Sequence, residues 1–253
     1  MTTSAAPAAD IRLEPAVEAD IDTLANIANL TFHEDRHTLL KAAYPARPYD
    51  HGEGMKACLE NWISVAPSGR IQLTKAVDPS TGEILGWVCW GSRGFDNAAP
   101  APAAPAPAPP QPKEEADKPA GDALAELEAL TSADMAAFMA RTMRPGEKWM
   151  FIVSIAVSPA HQGRGVGSAL IRSGTDRADE AGAPCWVHAS EAGAASFRAR
   201  GFAEDARLEI DLDEWAGRMG VGPPPEGQGL EEDGGGRKWG KYVFRYMIRR
   251  PVV

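Results

Sequence analysis

The feature that most restricts this chain is a change of periodicity at Ser158. From Trp149 to Val157 the residues form an almost continuous apolar run, the pattern of a strand buried on both faces. From Gly167 to Ala181 the apolar residues, Ala169, Leu170 and Ala178 among them, recur at helical spacing instead. Between them lies the glycine-rich turn Ser158-Pro159-Ala160-His161-Gln162-Gly163-Arg164-Gly165-Val166-Gly167-Ser168. A buried strand that turns directly into a helix calls for helices packed on a sheet, an α/β (α+β) architecture.

Such a turn is also built to hold an anion. Glycines adopt positive φ and let the backbone approach a ligand, while the free N–H groups and the dipole at the helix start face it. Arg164 adds a charge that can assist such a contact. A Walker loop is excluded because no Gly-Lys-Ser/Thr follows, and a dinucleotide site would need Gly-x-Gly-x-x-Gly with an acidic residue about 20 positions on, after a second strand.

The remaining elements surround this junction. Ile11, Leu13 and Pro15 to Val17 read as an opening strand, and Glu18 to Leu30 as a helix with Ile21, Leu24, Ile27 and Ala28 on one side. A second helix is expected from Glu53 to Val65, ended by Pro67. Ile71–Val77 and Ile84–Trp90 form a hairpin across Asp78-Pro79-Ser80-Thr81-Gly82. Asp122 to Met143 is helical, stopped by Pro145-Gly146, and a strand is expected at Cys185–Ala189. Residues 11–250 are read as one domain after a flexible N-terminus at 1–10. It is interrupted at 97–121 by an Ala/Pro-rich disordered insertion and at 217–240 by a Gly/Pro-rich loop.

A net charge of −9 argues against nucleic acid, whose binders need a basic footprint, and favours a small cationic or neutral partner. Cys58, Cys89 and Cys185 each sit in an apolar stretch and read as reduced core thiols. The start lacks the basic and apolar regions of a signal peptide, and no uncharged apolar run reaches the roughly 18 residues of a membrane span. A cytoplasmic protein with no membrane partner is expected.

Gln162-Gly163-Arg164-Gly165-Val166-Gly167 matches Gln/Arg-x-x-Gly-x-Gly/Ala, and here the chain resembles the GNAT superfamily of N-acetyltransferases. Val157-Ser158-Pro159, Ser168-Ala169-Leu170-Ile171, the strand at Cys185 and the segment from Ala195 to Gly201-Phe202 occur in the same order as in that family. The resemblance implies a GNAT fold, a mixed, mostly antiparallel central sheet of about six or seven strands flanked by helices. It also implies acetyl-CoA as cosubstrate, no metal, and strands splaying at Val153 and Val187 to admit the pantetheine arm. The pyrophosphate would rest on Gly163, Arg164, Gly165, Val166, Gly167 and Ser168, behind Gln162, and pantetheine amides would pair with Ile155, Ala156 and Val157.

Acetyl transfer to a small amine acceptor needs that amine unprotonated, the thioester carbonyl polarised and the leaving thiolate stabilised. The family commonly places a Tyr four residues before the Gly-Phe pair; Phe197 stands there in this chain, on the cofactor side. Solvent, Ser190, Ser196 or an unidentified group is left as the proton donor, unless the thiolate needs none. The strand from Met150 to Val157 has no ionisable side chain, so His188 is the candidate base, with Glu191 and Glu147 behind it. The alternative for His188 is an imidazole satisfied inside the sheet or exposed. Acceptor walls are expected from Trp87, Trp90 and Trp149 and from Glu34, Asp35 and Asp50, unless the Trp residues are core and the acids solvated.

Two other classes compete. His33-Glu34-Asp35-Arg36-His37 matches His-Glu-x-x-His, which on a helix holds zinc for hydrolysis, although only Glu53 and Glu60 stand nearby as a third ligand. A non-catalytic GNAT-like CoA-binding module would explain Phe197 and the absence of an assured base.

Overall fold

The structure, a computed structural model, describes residues 10–47, 49–95, 121–231 and 236–252. The Ala/Pro-rich insertion expected at 97–121 lies outside the described residues except for Gly121, as does the N-terminal segment except for Asp10. In chain order the elements are β1 (Arg12–Pro15), α1 (Ile21–Phe32), α2 (Arg36–Ala42), α3 (His51–Val65), β2 (Ile71–Val77) and β3 (Ile84–Arg93). Then come α4 (Ala123–Thr142), β4 (Trp149–Val157), α5 (Val166–Glu180), β5 (Cys185–Ala189), α6 (Glu191–Arg198), β6 (Ala203–Asp211) and α7 (Leu212–Met219). A two-residue hairpin, β7 (Leu230–Glu231) and β8 (Arg237–Lys238), precedes β9 (Lys241–Arg249). Seven strands form one sheet in the order β1-β2-β3-β4-β5-β9-β6.

Every neighbouring pair in that sheet is antiparallel except β4 and β5. Parallel neighbours need a crossover, and α5 supplies it. α1 buries Ile21, Leu24, Ala25, Ile27 and Ala28 against Leu73, Trp87 and Cys89 on one sheet face. α5 covers the other, with Val166, Leu170, Ile171 and Ala178 packed on Val88, Trp90, Ile152 and Val187. At Gly174 the helix lies against the Trp90 ring so closely that a Cβ would sit 2.1 Å from Cε2. Cys58, Cys89 and Cys185 are free thiols, and burial pushes Cys58 up to about 11 and Cys185 up to about 12.

Several boundaries differ from the expectation, each for a local reason. Asp50 accepts from Glu53 N, so α3 starts at His51 rather than Glu53. Ser190 accepts from Gly193 N and starts α6, the helix that precedes Gly201-Phe202, at Glu191. α2 escaped the periodicity because it is seven residues long and buries Leu40 alone. The 217–240 segment is more than a loop. It opens with the end of α7, contains the β7–β8 hairpin and buries Trp239, whose indole N–H donates to Gly222 O at 2.8 Å.

What matters for the site is where β4 leaves β5. Their pairing covers only Met150, Phe151 and Ile152 against Cys185, Trp186 and Val187. On its other side β4 stays with β3, but the register slips between Cys89↔Ser154 and Trp90↔Ile152, leaving Val153 as an extra residue. Such a bulge bends and twists its strand. It also changes parity, so Met150 and Ile152 before it and Ile155 and Val157 after it all face α5.

Candidate active site

Beyond Val153 the β5-facing edge of β4 carries unspent backbone groups. Ser158 N–H donates to Leu85 O at 3.0 Å, which fixes Leu85 and Ser158 as a hydrogen-bonded pair of the antiparallel ladder. Alternation along the ladder then points the backbone of Ala156 toward β3 and that of Ile155 and Val157 into the gap. The Val157 carbonyl is taken by Thr31 Oγ1 at 3.0 Å and by Gln162 Nε2 at 3.1 Å. Both N–H groups and the Ile155 carbonyl have no backbone partner among the described residues.

The glycine turn follows at the end of that edge. Gly163 and Gly165 have φ of 72° and 90°, and nothing lies within 4 Å of a Cβ built on either. Gly165 is the N-cap of α5, with no side-chain cap; the first bond of the helix is donated by Ala169 to Gly165 O at 3.0 Å. The N–H groups of Val166, Gly167 and Ser168 are therefore the free donors of a 15-residue helix. Gly167 has no positive φ, and a Cβ there would meet only Val157 Cγ2 at 3.7 Å, so open space rather than backbone strain is its contribution. Gln162 faces back onto its own strand, where its amide holds the turn in shape.

Two arginines that the sequence did not single out join this cradle. Arg200, on the turn after α6, donates to Ser168 Oγ and, at 2.6 Å, to Ser196 O. Burial and the nearby Arg172 both push its pKa down. Neither arginine, nor Arg164, has a carboxylate ion-pair partner among the described residues. In a chain of net charge −9, these three guanidinium groups make a local positive patch. An open glycine cradle, three free helix donors and unpaired cations fit a phosphate-bearing ligand, and the unpaired β4 edge fits an amide-bearing arm. The only available signal for Arg200 was its place next to Gly201-Phe202.

Phe197 cannot supply a proton; it is buried in the core with its ring 5.6 Å from that of Phe202. Ser190 Oγ accepts from Gly193 N as the cap of α6, which leaves its O–H free to donate, and Ser196 is exposed. His188 lies on the sheet face opposite Val187 and Ala189, at the point where β4 has parted from β5. Its ring stacks on Tyr246 and tilts against Phe244, both centroids at 4.5 Å. Its Nε2 is sealed from solvent without a hydrogen bond among the described residues. Burial lowers its pKa to about 4, against a smaller opposing effect of Asp134. His37 and His51 share this environment: each has an orphan Nε2, and burial lowers them to about 3 and about 4.

Other expectations are corrected here. Trp87, Trp90 and Trp149 are core residues, with indole N–H groups donating to Leu24 O, Leu170 O and Glu147. They form no acceptor wall. Asp35 accepts from Tyr242 Oη at 2.5 Å and caps α2, Asp50 caps α3, and Glu34 is exposed. Glu191 is held by Arg36 at 2.5 Å and by Val243 N, while Glu147 stands at the opposite end of β4 from the gap. The His-Glu-x-x-His pattern is not helical: His33 and Glu34 lie in the turn before α2, and only His37 is on that helix, packed 5.1 Å from Phe244. The two imidazoles thus lack the shared helical face the zinc motif requires. A pocket of about 220 Å³ between α1, α2 and α3 is lined by Asn29, Phe32, Thr38, Tyr49, Asp50 and His51, among others.

Residues 35–205, more than half of the chain, match the acetyltransferase (GNAT) family. The chain belongs to that family. As a GNAT member it is an acyltransferase that uses an acyl-CoA, and its seven-stranded, mostly antiparallel sheet with flanking helices is the GNAT fold. Among solved structures it is similar to mosquito arylalkylamine N-acetyltransferase like 5b, with 14% identity, TM-score 0.56, and 95% of this chain and 100% of that one covered. It is also similar to an agmatine N-acetyltransferase, a mutant in its apo form, with 17% identity, TM-score 0.54, and coverage of 95% and 99%. At such identities the likeness concerns the fold. No helix among the described residues is long and apolar enough to cross a membrane.

Proposed function

We propose that this protein transfers an acetyl group from acetyl-CoA to a small amine by direct attack within a ternary complex. The observation that carries this reading is the parting of β4 from β5 after Ile152, with the unpaired backbone of Ile155 and Val157 leading to the free N–H groups at the start of α5. Acetyl-CoA supplies an activated thioester when bound. The Ile155 and Val157 edge holds its amide arm, and Gly163 to Ser168, with Arg164, Arg172 and Arg200, holds its phosphates. Ala156 contributes by pairing with Trp87 of β3, which keeps that edge extended.

For the acceptor, His188 is the candidate ionisable side chain, one residue beyond the last β4–β5 pair. With its pKa held low it is neutral near pH 7, so one ring nitrogen can accept an N–H from the amine. The same low basicity means the amine's proton passes on to solvent rather than staying on the imidazole. Departure of the thiolate relies on water, because Phe197 has no proton to give. The pocket between α1, α2 and α3 is the proposed approach for the acceptor, since Thr31 ties α1 directly to the end of β4. The two structural neighbours are named for amine substrates, in keeping with a small amine here.

Calorimetric titration with acetyl-CoA, followed by thiol release across arylalkylamines, polyamines and amino acids, tests the reading. Binding with amine-dependent release supports it. Binding without release would favour a CoA-binding module, the second reading that Phe197 keeps in play, and no binding would overturn both.

A further inference from the structure

The glycine turn contains a built contact that its sequence motif does not require. Arg164 stands between Gly163 and Gly165, two residues at positive φ, in what would otherwise be the least constrained stretch of the turn. Its side chain is nevertheless held: Nη1 lies 3.1 Å from His161 Nδ1, and His161 Nε2 lies 2.9 Å from Glu83 Oε1. The chemistry fixes the tautomer. A guanidinium can only donate, so Nδ1 must be the acceptor and the imidazole proton sits on Nε2, donated to the carboxylate.

Both ends of this chain of bonds rest on fixed backbone. Glu83 closes the β2–β3 hairpin, accepting from Asp78 N at 2.9 Å and donating its own N–H to Thr81 Oγ1 at 3.2 Å. His161 ends a single helical turn from Pro159 whose start is tied to β3 by the Ser158 to Leu85 bond. Its side chain is 13% exposed, against 55% for Glu83. The remaining N–H donors of Arg164 have no partner among the described residues. They stay available beside the free N–H groups of Val166 to Ser168.

We propose that Glu83 and His161 are positioning residues that pin the Arg164 guanidinium, and with it the glycine turn, in the conformation that receives the phosphates of acetyl-CoA. This rests on the acetyl-CoA reading above. Holding a side chain flanked by two glycines before the ligand arrives removes an ordering cost from binding, which appears as affinity. Glu83 acts only through His161, and His161 only through Arg164.

The test compares acetyl-CoA with acetyl-pantetheine, which keeps the thioester and amide arm but has no pyrophosphate. His161→Phe should weaken acetyl-CoA binding by about three- to tenfold, within the range of one hydrogen bond to a charged group. Glu83→Ala should do the same, and Glu83→Gln, which keeps a carbonyl acceptor for the imidazole N–H, should restore most of the loss. In an Arg164→Ala background, His161→Phe should have no further effect. The KM for acetyl-pantetheine should be unchanged in every variant. Additive losses of His161→Phe and Arg164→Ala, or equal losses with acetyl-pantetheine, would overturn the positioning role. Failure of the unaltered protein to bind acetyl-CoA would instead strike the reading beneath it.

Discussion

The glycines of the turn differ in what they contribute, and the difference can be measured. Gly165 has φ of 90° and caps α5, so Gly165→Asp forces an L-residue into a left-handed conformation and sets a carboxylate among the free helix donors. Acetyl-CoA binding should be lost, by roughly a hundredfold or more, in a protein that still folds. Gly167→Ala puts one methyl at ordinary contact distance, 3.7 Å, from Val157 and should cost less than about tenfold. Equal effects in the two variants, read by calorimetry, would mean that the turn does not hold the phosphates through its shape. The histidines give a second prediction at this scale. His37, His51 and His188 are buried neutral, with pKa values lowered to about 3, 4 and 4 from 6.5. Because the folded values lie below the unfolded one, their contribution to stability is present above pH 6.5 and is lost as pH falls toward 4, while the unfolded chain takes up protons that the native state refuses. Each contributes at most on the order of 1 kcal/mol per pH unit across that window. His37→Phe should therefore shallow the fall in melting temperature between pH 6.5 and 4; an unchanged slope would show that His37 is not held neutral.

Elements with strong periodicity or strong breakers were legible in the sequence, and those defined by a partner were not. β4 and β5 begin and end where their apolar runs do, as strands buried on both faces should, while β2 is bounded by Ile71 and Val77 but carries Gln72, Thr74 and Lys75 between its apolar residues. β6 alternates apolar with charged positions at the sheet edge, and β9 mixes Lys241, Arg245 and Arg249 with aromatics, so neither reads as a core strand until it is paired with the other. The glycine turn was readable because the proposed phosphate cradle is a matter of local backbone, whereas Arg172, Arg200 and the brace to Glu83 are brought together by the fold. Strand alternation brings His188 forward only as a candidate, and its low pKa is not legible there, since that depends on Tyr246 and Phe244 packed around it. Packing between elements supplies the next prediction. At Gly174 α5 meets the Trp90 indole with no room for a Cβ, so Gly174→Ala must push helix and sheet apart despite its better helix propensity. A loss of about 1–3 kcal/mol is expected, or about 2–4 °C of melting temperature per kcal/mol for a chain of this size. A stabilised variant would show that α5 can slide on the sheet, in which case the cradle at its N-terminus is less fixed than the contacts imply.

At the scale of the whole molecule, a protein of net charge −9 has to attract a polyanionic cosubstrate. Averaged over the surface its field opposes that encounter, so attraction must come from a local concentration of cations not neutralised by neighbouring acids. Most of the chain's ion pairs spend their cations on carboxylates, as in Arg249 with Asp179 at 2.6 Å and Arg245 with Glu204 at 3.2 Å. Arg164 and Arg200, beside the start of α5, and Arg172, in its second turn, make no carboxylate ion pair among the described residues, although Arg164 lies within electrostatic reach of Asp78. Two opposing salt effects follow. Added salt screens the general repulsion, whose range is set by a Debye length of about 10 Å at 0.1 M, and weakens the contact between guanidinium and phosphate. Contacts made within a few ångströms in a partly desolvated cradle should dominate the equilibrium, so acetyl-CoA affinity should fall as ionic strength rises from about 0.05 to 0.3 M. Arg200→Gln should lower affinity by roughly tenfold at the low end and flatten the salt dependence, because one of the screened contacts is gone. Exposed Arg198→Gln, whose partner is Glu204 at 3.3 Å, should change neither quantity beyond about twofold. If the two variants behave alike, the charge at Arg200 acts through the general field and not as part of the phosphate cradle.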